Sequence, residues 1–421
     1  MANIHWSKSA RGSRVKYDQS RPTGENRLRR AATEPTKPVS VNGVEIAVYH
    51  SFEACEALWQ KAGHDCASFA FQSFTWLSVW QATIGVAQGV APLIIHLSDC
   101  TDRTLMILPL GIYRRRGLRV LQFLGGGISD YHAPIIDRAY AAQVGAAEFA
   151  ALWESILKRL PPVDVVWFWH MPETIEGARN PMLTLRGANF LENAYAAALP
   201  NSFDEFRARQ STDFFKDTRR RQRRLGKEGK VEIALPRNAD EAAAWVRIMA
   251  AQKSRRWRAT GTRDIFMRPE YLAFYEGVTR TWFATGNIHV CCLRVGEKVV
   301  ATDWGLVYNR RFYSMMAGYE EEWARYSPGR ILLENVVEWC VAEPTIDIFD
   351  LTVGGETYKR YWSDHSLAIY EYLAAVTLRG LATVAIDRLK RRLQQSPQLR
   401  AARRWLKGMP RANGRPTSSS A

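Results

Sequence analysis

The chemistry-bearing residues of this 421-residue chain point away from metal and covalent-nucleophile mechanisms. It contains no Gly-rich phosphate loop ending in Gly-Lys-Ser/Thr, no His-Glu-x-x-His, no Gly-x-Ser-x-Gly and no zinc-spaced Cys/His set. The eight histidines are scattered and read as structural residues, so no metal is expected. What remains are polar residues beside glycines. Asp130 and Tyr131 follow Gly125, Gly126 and Gly127, where a strand end can face a cleft; the carboxylate there can orient an acceptor hydroxyl or cap a turn. Glu356, Tyr358 and Lys359 follow Gly354 and Gly355 and read either as groups facing a site or as a surface ion pair. Asp303, beside Trp304 in an apolar strand, is a buried structural carboxylate or an acceptor contact, and the structural reading is favoured. Ser327-Pro328-Gly329-Arg330 opens a helix: Ser327 can cap it, Pro328 suits its first turn, and Gly329 admits a ligand close to the backbone. The unpaired N–H groups and dipole of such a start favour an anion such as a pyrophosphate, although the same four residues also make an ordinary helix start.

The elements that must position these residues fall into two similar series. Residues 44–49 form a short β-rich run, and Ser51 is placed to cap a helix holding Phe52, Cys55, Leu58 and Trp59. Phe74, Leu77 and Trp80 share a helix face, and residues 91–99, 104–116 and 119–126 read as a three-strand antiparallel meander. A helix at 145–160 and a buried strand at 163–171 complete the series. The second series has helices at 202–210, 212–229, 239–257 and 269–286, with a strand at 231–235 before the third of them. Strands at 287–295, 297–309 and 310–319, a helix at 327–343 and a strand at 345–354 follow. Two α+β lobes of similar plan are expected: 39–200 and 201–376, between a disordered basic tail (1–38) and a basic amphipathic helix with a disordered end (377–421). In that last segment Leu381, Val384, Leu389 and Leu393 share a face, which either lies on anionic membrane or packs on the protein; packing is favoured.

Composition narrows the class. Lys and Arg total 58 against 42 Asp and Glu, a net charge of +16 that attracts anionic partners. Arg219, Arg220, Arg221, Arg223, Arg224, Lys227 and Lys230 surround their helix instead of forming one stripe with interleaved aromatics. That arrangement argues against sequence-specific nucleic-acid recognition and leaves a solvated face, or a contact to an anionic sugar nucleotide, lipid carrier or charged tRNA. The 15 Trp lie mostly in apolar runs and belong to the core. The six cysteines lack a Cys-x-x-Cys pair and read as buried free thiols in a reducing compartment. With no signal-peptide h-region and no apolar run of about 18 residues, a cytoplasmic location is expected, with the basic tail available for the inner membrane face.

Several short motifs recur in an order that resembles a known family. They are Phe71-Gln72-Ser73 before Trp76 and Trp80, Leu108-Pro109-Leu110, and Phe123-Leu124-Gly125 followed by Ser129-Asp130-Tyr131. The basic segment 219–230, Ser327-Pro328-Gly329, and Phe349-Asp350 with Gly354-Gly355-Glu356-Thr357-Tyr358-Lys359 follow. Across residues 45–370 the chain resembles the cellulose-biosynthesis-associated acetyltransferases of the GNAT superfamily, relatives of the Fem-type aminoacyltransferases. The resemblance implies an α+β fold of two tandem GNAT-like lobes, with mixed, largely antiparallel sheets flanked by helices. It implies transfer of an acyl group, acetyl above all, from acyl-CoA to a hydroxyl or amine of an exopolysaccharide- or cellulose-related acceptor. Ser327, Pro328, Gly329 and Arg330 would then hold the acetyl-CoA or other acyl-CoA co-substrate, with Glu356 as first choice for general base and Asp130 and Tyr358 as further catalytic candidates. Tyr131, Lys359 and Asp303 would contact the saccharide or amine acceptor. Two alternatives stay open: a Fem-like transferase using aminoacyl-tRNA, and a non-catalytic partner of a polysaccharide-biosynthesis system.

Overall fold

Strands dominate where apolar residues run without interruption. In a computed structural model that describes residues 36, 38–63, 65–209 and 212–395, residues 104–111 are buried one after another, as expected of a strand covered on both faces. The tails read as disordered therefore lie almost wholly outside the described residues.

The first half runs β1 (Val39–Val41), β2 (Val44–Tyr49), α1 (Glu56–Ala62), β3 (Cys66–Ala67), α2 (Phe74–Trp80), β4 (Ala91–Ser98), β5 (Thr104–Arg115) and β6 (Leu118–Phe123). It continues with β7 (Ile135–Asp137), α3 (Arg138–Gln143), α4 (Ala146–Leu157), β8 (Val165–Pro172), β9 (Thr174–Ile175), β10 (Ala178–Arg179) and β11 (Ala188–Ala198). The second half runs α5 (Phe203–Ala208), α6 (Thr212–Leu225), β12 (Val231–Ala234), α7 (Ala239–Thr260), α8 (Pro269–Phe283), β13 (Ile288–Val295), β14 (Lys298–Tyr308) and β15 (Arg311–Tyr319). It ends with α9 (Pro328–Ala342), β16 (Ile348–Val353), β17 (His365–Ala375) and α10 (Leu378–Gln395).

Two local expectations fail in the first half. Ser51 does not start a helix: its hydroxyl accepts only from the Ala54 N–H at 3.4 Å, a single turn, and α1 begins later at Glu56 with no side-chain cap. Of the cysteines, Cys100 is exposed while the other five are buried, because it lies in the turn between β4 and β5.

Among the described residues the strands join in one sheet, β1-β2-β4-β5-β6-β8-β17-β11-β16-β15-β14-β13-β12, with β3 and β7 to the side. Each half contributes an antiparallel meander (β4-β5-β6 and β13-β14-β15) followed by a helix and a strand that returns parallel to the last meander strand. The halves then exchange strands. β11, from the first, pairs with β16 of the second, and β17, from the end of the second, pairs with β8 of the first. β11 and β17 pair with each other, so the sheet is continuous through its centre.

Registers fix where this exchange leads. Pro172 pairs with Ile369, which pairs with Glu192; two residues along β11, Ala194 pairs with both Leu367 and Val353. The carboxyl ends of β8 and β16 therefore run toward each other and stop at neighbouring levels in the middle of the sheet.

One apolar cluster spans both halves. The Trp76 ring of α2 meets Phe274 and Trp282 of α8 at 4.9 and 6.3 Å and Trp304 of β14 at 6.4 Å between centroids. A second cluster holds α5, α6 and α9 on the opposite face of β13–β16. α10 docks through its first turns: a Cβ on Gly380 would collide with the Asp164 carbonyl, and Val384 is buried. Leu381, assigned to the same face as Val384, is 55% exposed instead, and the side chains of Leu389 and Leu393 lie outside the described residues.

Candidate active site

β15 and β16 are parallel only over Arg311, Phe312 and Tyr313, which pair with Ile348, Phe349 and Asp350. Beyond that point β15 bulges: Ser314 lies opposite Gly305 and Met316 opposite Trp304, so Met315 has no counterpart. The strands then part, and a crevice at the carboxyl ends of parted parallel strands is the usual ligand position in such sheets.

α9 starts from the segment that follows β15. Ser327 sits there in the left-handed region at φ 54°, and its hydroxyl makes no capping bond. The expected side-chain cap is therefore replaced: Ser327 Oγ accepts from Arg221 Nη1 of α6 at 3.1 Å. Asp217, also of α6, accepts from Arg220 (2.6 Å), Arg221 (2.7 Å) and Arg330 (3.1 Å). Arg221 first, and then Arg220, hold the Asp217 carboxyl below its ordinary value. The basic segment is thus not merely a solvated face; one side of it is tied to the start of α9. Its other side lines an open groove of about 740 Å³ with Lys216, Arg219, Arg223 and Lys230.

A second group of polar residues forms where β6, β8 and β16 end. Asp130, in the segment after β6, is half-buried; burial raises its carboxyl, against the opposing pull of Thr352 of β16, His170 and Lys359. Lys359 is 5% exposed, donates to the Val353 carbonyl and lies 3.2 Å from Glu356. Tyr358 is half exposed; desolvation first, then the charges of Glu356, Asp303 and Asp130, raise its phenol. Asp130, Glu356, Tyr358 and Lys359 are accordingly brought within electrostatic reach of one another. His170, at the end of β8, stands 3.4 Å from Glu192, whose carboxyl it lowers.

Four members of this group carry no sequence signal. Lys253 of α7 is lowered to about 8 by desolvation and then by Arg256, with Glu356 acting the other way. In sequence it is one cation in a basic helical run. Thr352 and His170 have φ of 59° and 54°, an uncommon conformation for non-glycine residues that recurs at the end of each return strand. Glu192 reads as an ordinary strand residue.

Of the remaining candidates, Asp303 is within electrostatic reach of Tyr358, while Tyr131 is turned into the core. Tyr131 is 1% exposed and donates its hydroxyl to both oxygens of Asp350 at 2.9 and 3.0 Å. Arg311 bridges Asp350 (3.0 Å) and Glu176 (3.1 Å), so a buried network links the two halves beneath the cleft. Asp303 is 2% exposed; it pairs across strands with Cys291, on the α9 side of the sheet, and burial pushes its carboxyl up to about 7.

Residues 212–360 match the family described as acetyltransferase (GNAT) domain. Among solved structures the chain is similar to FemX, at 8% identity, covering 80% of this chain and 98% of FemX with a TM-score of 0.53. It is also similar to the tandem GNAT protein from the clavulanic acid biosynthesis pathway, at 10% identity, over 79% of this chain and 99% of that one, with a TM-score of 0.47. No curated protein matches the sequence. The chain has the GNAT fold, α+β with helices on a mixed sheet, and the family match lies within its second half.

Proposed function

We propose that the chain is an acyl-CoA-dependent acyltransferase that moves an acyl group, acetyl foremost, onto a hydroxyl or amine of a saccharide acceptor related to exopolysaccharide or cellulose. The observation that carries this reading is the parted β15/β16 pair: the start of α9 follows β15 and the Asp130–Glu356–Lys359 group gathers where β16 ends, so a donor and an acceptor can meet between the strands. The donor pyrophosphate suits the backbone of residues 327–330, with Arg221 and Arg330 adding positive charge. The bulge at Met315 leaves backbone groups of β15 outside the ladder, where they can polarise a thioester carbonyl.

Of the two carboxylates, Asp130 suits the base better than Glu356. Burial raises Asp130 toward the pH at which it exchanges protons with a substrate, whereas Glu356 is engaged by Lys359 and suits holding the acceptor. Asp130 takes the proton of the attacking hydroxyl or amine; the bond to the acyl carbon forms as the C–S bond breaks. Tyr358, kept protonated by its surroundings, returns a proton to the departing thiolate. Lys253 and Lys359 hold the negative charge of Glu356 in place. A cytoplasmic site of action follows from a CoA donor, and among the described residues no helix is long and apolar enough to cross a membrane.

Calorimetric titration with acetyl-CoA tests the reading. Saturable binding by the wild type, lost in Gly329→Asp, supports it; no binding of acetyl or longer acyl-CoA would sink it. The basic groove along α6 favours one second reading, Fem-like transfer from aminoacyl-tRNA. Transfer that requires charged tRNA and ignores acyl-CoA would replace the first with the second. Donor binding without turnover on any acceptor would leave a non-catalytic partner of polysaccharide biosynthesis.

A further inference from the structure

On the face of the sheet beneath α9, three side chains converge that the acyl-transfer reading does not need. His289 and Cys291 are alternate residues of β13 and share a face; Asp303 of β14 is the cross-strand partner of Cys291. One nitrogen of His289, the Cys291 Sγ and one carboxylate oxygen of Asp303 all lie within 4.8 Å of one another. All three residues are buried, at 8%, 1% and 2% exposure. His289 Nδ1 and Asp303 Oδ1 have no hydrogen-bond partner among the described residues. A buried carboxyl oxygen and a buried ring nitrogen left without a partner each cost free energy. Two such atoms beside a thiol need a shared partner.

We propose that His289, Cys291 and Asp303 bind a divalent first-row transition cation, with zinc as the natural occupant. The nitrogen–sulfur–oxygen donor set is one zinc accepts, and tetrahedral ligands at zinc distances stand about 3.5 Å from each other, a small adjustment from the spacing seen. The nitrogen donor is the His289 imidazole, buried against the sheet. Its ring is held by stacking on Trp339 of α9, with centroids 4.1 Å apart. Binding deprotonates the Cys291 thiol and delivers its proton to solvent, so two protein anions, Cys291 and Asp303, balance the dication. The pattern escapes a search for spaced Cys/His pairs because its ligands alternate on one strand and cross to the next.

This proposal is independent of acyl transfer, and its test does not use activity. Full-length protein is analysed for metal as isolated, stripped with a chelator and titrated with Co²⁺. About one zinc per chain as isolated, and a saturable thiolate-to-cobalt charge-transfer band at one equivalent, are expected. The band should disappear in Cys291→Ser, and His289→Gln and Asp303→Asn should weaken Co²⁺ binding at least tenfold while circular dichroism stays native. A wild type that retains no metal and gives no band overturns the site, and this arm needs no variant to fold. A band that survives Cys291→Ser overturns it as well, since the thiolate would then come from another cysteine.

Discussion

Asp130 is half-buried within electrostatic reach of Lys359 and Thr352, and this placement makes a prediction about proton transfer. Asp130→Asn keeps the size but cannot accept a proton. Turnover should fall about 10²- to 10⁴-fold, while the Kd for acetyl-CoA stays within about twofold, as expected when only the acid–base group is lost. Equal loss of donor affinity would instead make Asp130 part of the donor site. The acid limb of the wild-type pH profile should lie above the ordinary aspartate range of about 4, because burial raises this carboxyl. The alkaline limb belongs to Lys253. Its ammonium, lowered to about 8, is charged below that pH and neutral above it, so the positive charge facing Glu356 is lost as pH rises through about 8. Lys253→Met should remove this limb and leave a flat, lower profile; a limb unchanged in the variant would exclude Lys253 from it.

The start of α9 is the element on which donor binding rests. A Cβ on Gly329 would meet only Tyr319 Cδ1, at 3.6 Å, an ordinary contact. Gly329→Ala should therefore fold normally and change donor affinity little. Gly329→Asp adds a negative charge where a pyrophosphate is proposed, and like charges about 4 Å apart at an effective dielectric near 20 repel by roughly 4 kcal/mol. The Kd for acetyl-CoA should rise tenfold or more in calorimetry with the melting temperature little changed. Equal affinities in the Ala and Asp variants would move the donor elsewhere. This element was legible: Ser-Pro-Gly after a strand marks a helix start before any fold is known, and the apolar runs of both meanders mark their strands. What holds that start was not legible. Ser327 presents its hydroxyl to Arg221, 106 residues away in sequence, and not to its own helix. Tyr131 reaches Asp350 across 219 residues. Side-chain type and local period carry no information about such pairings, so glycine-flanked polar residues could be singled out but not sorted into cleft and core. Asp303 shows the same limit, since its address between β14 and α9 depends on which face of a strand a helix later covers.

Across the whole molecule, the exchanged strands make the two halves one cooperative body. β17 closes the first half against β8, β11 closes the second against β16, and the two lie side by side. Neither half can therefore unfold without baring strand edges of the other. Denaturation followed by tryptophan fluorescence and by far-UV circular dichroism should give one coincident transition, since buried Trp76 and Trp80 report on the first half and Trp304 and Trp362 on the second. Arg311 lets this be tested at a single residue. It sits between Asp350 and Glu176, and Asp350 also receives the Tyr131 hydroxyl, so both halves contribute to one buried charge network. Arg311→Met preserves much of the side-chain volume but leaves the Asp350 carboxylate, 1% exposed, without its cation. Removing one partner of a buried pair costs about 3–5 kcal/mol, so the midpoint should fall substantially by both probes together. Arg311→Met/Asp350→Asn should recover part of that loss, because no unpaired charge is then left in the core. If the single variant instead split the curve, with fluorescence and circular dichroism midpoints parting, the halves would be separable units, and the crevice between β15 and β16 could form without the first half. In that case Asp130 could not be required for donor-site folding, and its loss would be felt only in the chemistry.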